Sequence, residues 1–179
     1  MSLNYLWRDL KSISGSEQFG RILKSLVFDH SAHMVIVMRI GQSALKVPVF
    51  GRLLSFFIEY FIRIFFSSDI SCRAKIGPGF CIMHGHDIVI GADVEMGSNC
   101  KIFNGVTLGN QDLSKSSKDN QPSLGNNVVI CTGAKILGHI SLGDNVVVGA
   151  NSVVTKSFPA NTIVVGVPGT PLKRNTTPE

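Results

Sequence analysis

The chain has 179 residues, 44% hydrophobic and 16% charged, with a formal net charge of +5. That length provides one substantial core, or one domain with a smaller appendage. Its four cysteines, Cys72, Cys81, Cys100 and Cys131, form no CxxC pair and no disulfide-framework spacing. This excludes a stapled secreted fold and reads as reduced, buried thiols in a cytoplasmic protein.

Composition changes near residue 68. Eight of the eleven Phe, the Trp and both Tyr precede that point, and fourteen of the eighteen Gly follow it. Residues 1–68 carry eight Lys/Arg against four Asp/Glu, whereas the remainder carries nine against eight. The expected organisation is an N-terminal helical segment over 1–68 and a second architecture over 69–179.

The opening "MSLNYLWRDLKSISG" has no basic-then-apolar order ending in a cleavage site, so it does not read as a signal peptide. Residues 15–67 read as helices. Ser16 is the expected N-cap of "SEQFGRILKSLVFDH", with Phe19, Ile22, Leu23 and Leu26 at helical spacing. The segment "VPVFGRLLSFFIEYFIRIFFSS" is interrupted by Arg52, Glu59 and Arg63, so it should not cross a membrane. Its apolar surface exceeds what one face can hide, which calls for helix packing, a second subunit or peripheral contact at the inner membrane surface.

From Ile76 onward the chain counts in sixes. Ile90, Met96, Ile102 and Leu108 form one run; Leu124, Ile130, Ile136, Leu142, Val148 and Val154 form another. Glycine often follows, as at Gly77, Gly91, Gly97, Gly125 and Gly143, where it is expected to free the corner backbone. A small or aliphatic residue stands four places on. A six-residue period this long is the signature of a hexapeptide β-helix, three hexads making each triangular coil. A β-sandwich would keep period two within strands and vary in strand spacing.

The count fails twice. Ile82 to Ile90 is eight residues, which places two extra residues within "HGHD"; Leu108 to Leu124 is sixteen, which inserts about ten as the polar loop 110–122. Breaks of this kind mark functional sites. His84 and His86 are then open to three readings: a base, a pair of metal ligands, or partners for backbone groups between packed subunits. No third ligand stands at zinc-like spacing, so no metal is expected.

The stretch "DISCRAKIGPGFCIMHGHDIVIG", with "GVTLGN", "TGAKILG", "GANSVV" and "VGVPGTP", resembles the serine acetyltransferase branch of the hexapeptide acyltransferases. Its closer likeness is to members that O-acetylate capsular or exopolysaccharide sugars, of the colanic-acid type. The resemblance implies a left-handed parallel β-helix, acetyl-CoA as co-substrate and a homotrimer with sites between prisms; nucleic acid is not an expected partner.

The same resemblance makes His84 the catalytic base and Asp69 the carboxylate that orients it, the arrangement suited to deprotonating an acceptor hydroxyl. His86, Met83, Asn120 and Gln121 fall at acceptor-binding positions. Gly109, Asn110, Gly133, Ala134, Ala150 and Ser152, with Lys173 and Arg174, fall at cofactor-binding ones. Serine acetyltransferases carry Asp where this chain has Met83, and an Arg-His pair where it has Asn120 and Gln121. The expected acceptor is therefore a saccharide hydroxyl in polysaccharide biosynthesis. The alternatives are L-serine, as in cysteine biosynthesis, and a non-catalytic scaffold.

Overall fold

The computed structural model describes residues 3–118 and 120–172. Four helices, α1 (Leu3–Ser14), α2 (Phe19–Phe28), α3 (His30–Ala44) and α4 (Phe50–Phe66), precede a run of short strands that begins at Asp69. The first coil holds β1 (Asp69–Ile70), β2 (Lys75–Ile76) and β3 (Cys81–Met83). The second holds β4 (Val89–Ile90), β5 (Glu95–Met96) and β6 (Lys101–Phe103); the third, β7 (Thr107–Gly109), β8 (Ser123–Leu124) and β9 (Val129–Ile130). The fourth holds β10 (Lys135–Leu137), β11 (Ser141–Leu142) and β12 (Val147–Val148), followed by β13 (Val153–Val154), β14 (Ile163–Val165) and β15 (Thr170–Pro171).

Every third strand up to β13 pairs in parallel and β14 joins β12, which builds three flat faces: β1-β4-β7-β10-β13, β2-β5-β8-β11, and β3-β6-β9-β12-β14 closed by antiparallel β15. The register carries the hexad count. On the first face Asp69 pairs with Val89, Val89 with Thr107, Thr107 with Lys135 and Lys135 with Val153. The steps are 20, 18, 28 and 18 residues, or three hexads with two and then ten residues looped out. The insertions leave the ladder in phase because they leave at corners. One late step is short: Val147 pairs with Ile163, sixteen residues on, a contraction the repeat count does not predict.

Each hexad turns its aliphatic residue inward. Ile70, Ile82, Ile90, Ile102, Leu108, Ile130, Ile136, Val148 and Val154 are all at most 1% exposed and belong to one continuous core. The residues four places on, such as Val94, Cys100, Val106, Val128 and Val146, are buried with them. Fully burying such a side chain contributes roughly 1.5–3 kcal/mol, which lets two-residue strands hold.

The corners correct one expectation. Asn99, Asn127, Asn145 and Asn161 hold the left-handed backbone, with φ of 58°, 55°, 59° and 61°. Asparagine tolerates that region because its short amide bonds locally. Gly77, Gly97 and Gly125 do not adopt positive φ; they are glycines because the coils stack too closely for a side chain. A Cβ on Gly97 would lie 2.6 Å from the Gly125 carbonyl oxygen.

Two helical expectations also change. Ser16 does not cap α2: its Oγ accepts from Gln18 N, and Gln18 is the capping residue, without a side-chain bond. Helix α1 precedes the first helix expected from the sequence, and its Leu6, Leu10 and Ile13 pack with Ile22, Ala32 and Ile36. Helix α3 is capped by Asp29, whose Oδ1 accepts from Ser31 N and Ala32 N. No helix among the described residues is long and apolar enough to cross a membrane.

The helices close the open end of the first coil. Arg39 of α3 donates to the carbonyls of Ile76 and Gly77 at 2.7 Å each and pairs with Asp9 of α1 at 2.8 Å. Asp9 in turn accepts from Phe80 N, Gln42 donates to Ala74 O, and Glu59 of α4 accepts from Cys72 N. An exposed strand edge is thereby given side-chain partners instead of another coil.

Candidate active site

The two residues added within HGHD form a turn at the corner between the third and first faces. His84 and Asp87 both take left-handed φ, 56° and 54°, a strained conformation for residues with a Cβ. Three backbone bonds and one to a side chain fix the turn: His86 N to His84 O, Asp87 N to Ser67 O, Gly105 N to His86 O, and Gly85 N to Ser31 Oγ at 3.1 Å. Gly85 is buried under α3, where any side chain would strike Met34 Cε. The strand phase break thus pushes both histidines outward while the glycine between them anchors the turn. His84 and His86 are exposed, and the His84 ring lies 6.5 Å from that of Phe103.

Both histidines line a cleft of about 560 Å³. The end of α2 and the start of α3 contribute Lys24, Phe28, Asp29 and Ser31 to its lining, and β3 contributes Ile82 and Met83. The residues Lys24, Asp29 and Ser31 are not singled out by sequence reasoning. Asp29 before an apolar run is a legible cap signal, but the cleft it faces depends on tertiary packing.

Asp69 is engaged elsewhere in this structure. Its carboxylate accepts from Arg63 Nη2 at 2.8 Å, and the pair is half-exposed; Asp69 shares no hydrogen bond with His84. The carboxylate in turn raises the Arg63 guanidinium above its ordinary value. An exposed pair of this kind contributes about 0–1 kcal/mol, so it exchanges partners easily.

The loop 110–122 leaves at a different corner, between the first and second faces. Asn120 is buried and donates to Asp112 O. Gln121 accepts from Asp93 N at 2.8 Å and donates to Asn110 Oδ1. Both amides fasten the loop to the prism, and neither lines the cleft of His84. Among the described residues, no group of three His, Cys, Asp or Glu could hold a metal ion.

The proposed cofactor positions fall on two corners. Gly109 and Asn110 begin the loop. Gly133, Ala134, Ala150 and Ser152 lie on the corner that also carries His84, linked by Gly133 N to Asn104 O and Asn151 N to Thr132 O. Ala134 and Ser152 turn their side chains into the core, so backbone groups are what this ridge presents. Lys173 and Arg174 lie outside the described residues.

Fold and turn together define a hexapeptide-repeat prism bearing an exposed histidine cleft roofed by helices. Two family models match it: "Bacterial transferase hexapeptide (six repeats)" over residues 122–156, and "Hexapeptide repeat of succinyl-transferase" over residues 87–111. The chain belongs to the hexapeptide-repeat acetyltransferase family. It is 42% identical over 130 residues to the serine acetyltransferase of Synechococcus elongatus, covering 73% of this chain and 51% of that protein. The chain spans about half the length of the curated relatives it matches.

Among solved structures it is similar to the Neisseria gonorrhoeae serine acetyltransferase in complex with serine, at 30% identity and a TM-score of 0.84. That match covers 94% of this chain and 67% of the other. It is also similar to the Brucella abortus serine acetyltransferase in complex with coenzyme A, at 27% identity and a TM-score of 0.85, covering 94% and 66%. None of these relatives is named for a polysaccharide substrate, the reading placed first from the residues.

Proposed function

We propose that the chain is an acetyl-CoA-dependent O-acetyltransferase with L-serine as acceptor and His84 as general base. The observation that carries this reading is the exposed His84 at the phase break, in a chain with 42% identity to a serine acetyltransferase across that region. In the reaction, the His84 imidazole takes the acceptor's hydroxyl proton as the oxygen attacks the thioester carbonyl. The C–S bond then breaks, and the proton passes to the departing thiolate. A neutral imidazole suits this step near neutral pH.

The cleft corner and the loop corner lie apart on one prism, so a site using both takes the loop of a neighbouring copy. We propose a homotrimer with shared grooves, a reading supported by this arrangement and by the apolar face of α4, where Phe50, Leu53, Phe57, Phe61 and Phe65 are exposed.

A second reading is favoured by one feature. Positions 83, 120 and 121 hold Met, Asn and Gln, none of which supplies charge for a zwitterion. An uncharged hydroxyl acceptor such as a sugar would not need it. Steady-state assays of thiol release from acetyl-CoA separate the two. Serine transfer with kcat/KM of about 10⁴ M⁻¹s⁻¹ or better, with simple sugars and lipid-linked oligosaccharides inert, supports the first. Sugar transfer with serine inert replaces it with the second.

A further inference from the structure

A serine acceptor brings an ammonium and a carboxylate into the cleft, and leaving either without a counter-charge is costly. We propose that Lys24 and Asp29, at the α2–α3 junction, hold those two groups in this protein, Lys24 taking the carboxylate and Asp29 the ammonium. This inference rests on the serine reading and names the residues that replace charge absent from positions 83, 120 and 121.

Three observations carry it. First, Lys24 supplies the only Lys or Arg and Asp29 the only carboxylate among the described residues that line the His84 cleft. Second, the two are not bonded to each other: Lys24 is exposed and makes no ion pair among the described residues. Asp29 uses only Oδ1, for the α3 cap, and leaves Oδ2 without a hydrogen bond. Opposite charges facing one cleft without pairing suit a small ligand that carries both signs.

Third, the spacing to the base is fixed. Asp29 Oδ1 accepts from Ser31 N at 2.9 Å, Ser31 Oγ accepts from Gly85 N at 3.1 Å, and Gly85 follows His84 directly. Two hydrogen bonds thus tie the carboxylate to the turn that carries the base. An acceptor hydroxyl one carbon from the α-carbon would be directed toward His84 when its charged groups are held at the α2–α3 wall.

The test uses Lys24→Gln and Asp29→Asn with three acceptors: L-serine, L-serine methyl ester, which lacks the carboxylate charge, and 3-hydroxypropanoate, which lacks the ammonium. Asn caps a helix as well as Asp, so D29N keeps α3 intact. Hydrogen bonds to charged groups are worth enough to predict a rise in KM of about tenfold or more. K24Q should raise KM for serine by that factor with kcat held within about twofold, while KM for the ester changes by less than about twofold. D29N should do the same for serine and spare 3-hydroxypropanoate. K24R should recover most of the loss. If wild type transfers acetyl to serine but K24Q penalises serine and its ester alike, or neither, the assignment is wrong and the serine reading stands. If wild type transfers nothing to serine, both fall together.

Discussion

Arg39→Met tests whether the helices cap the prism. Arg39 is 3% exposed and Asp9 fully buried, so the substitution removes a partner from a buried pair and strips donors from the carbonyls of Ile76 and Gly77. Removing one member of a buried pair costs roughly 3–5 kcal/mol, because the remaining charge stays desolvated. Burial already pushes the Asp9 carboxyl above its ordinary value, against the pull of Arg39. Without Arg39 the folded-state value rises further while the unfolded value stays near ~3.9. A raised folded pKa favours folding at low pH and loses that contribution as pH rises through it. The deficit of R39M should therefore be largest at pH 7 and shrink as pH falls toward ~4. Urea unfolding followed by circular dichroism, at fixed protein concentration, measures both. A loss below ~1 kcal/mol at pH 7, the scale of a single ordinary hydrogen bond, would refute the capping argument.

Other outcomes follow from the corners and the core. Asn127 has φ of 55° and accepts from Asn99 while donating to Asn145, so Asn127→Ala should cost about 1–2 kcal/mol and Asn127→Gly less; equal losses in urea melts would contradict a backbone origin. Gly97→Ala forces a Cβ against the Gly125 backbone and should destabilise by about 1–3 kcal/mol, although its φ is ordinary. Cys72, Cys81 and Cys100 are buried, and burial with the nearby Glu59 carboxylate pushes the Cys72 thiol up to about 12. Ellman titration at pH 8 should then count one reactive thiol, Cys131, in the native protein and four in denaturant.

The prism was legible because its period is a direct image of packing. Each sixth residue is an aliphatic side chain in the core, and the additions of two and ten residues predicted from Ile82–Ile90 and Leu108–Leu124 reappear as register steps of 20 and 28. The turn bearing His84 was visible for the same reason, as a failure of period. What was not legible depends on contacts between distant segments. Helix α1 repeats Leu6, Leu10 and Ile13 at helical spacing, but its packing partners Ile22, Ala32 and Ile36 come from α2 and α3. The Arg39–Asp9 cap joins residues thirty apart in the chain. The cleft wall at Lys24 and Asp29 is tied to the turn where Ser31 meets Gly85, and the engagement of Asp69 by Arg63 needs α4 to end beside β1. Gly77, Gly97, Gly125 and Gly143 suggest conformational freedom from the sequence but mark close stacking of the coils, a distinction that composition does not carry.

The most direct test of the account is single-residue replacement of the proposed base. With acetyl-CoA and L-serine, His84→Ala should lower kcat by ~100-fold or more, the usual scale for losing a general base. Calorimetry should show coenzyme A binding within about threefold of wild type, because His84 is not among the residues assigned to the coenzyme. His86→Ala, on the same turn and equally exposed, should cost far less. Full activity in His84→Ala, or its loss in His86→Ala alone, would contradict the claim that the phase break exists to present His84.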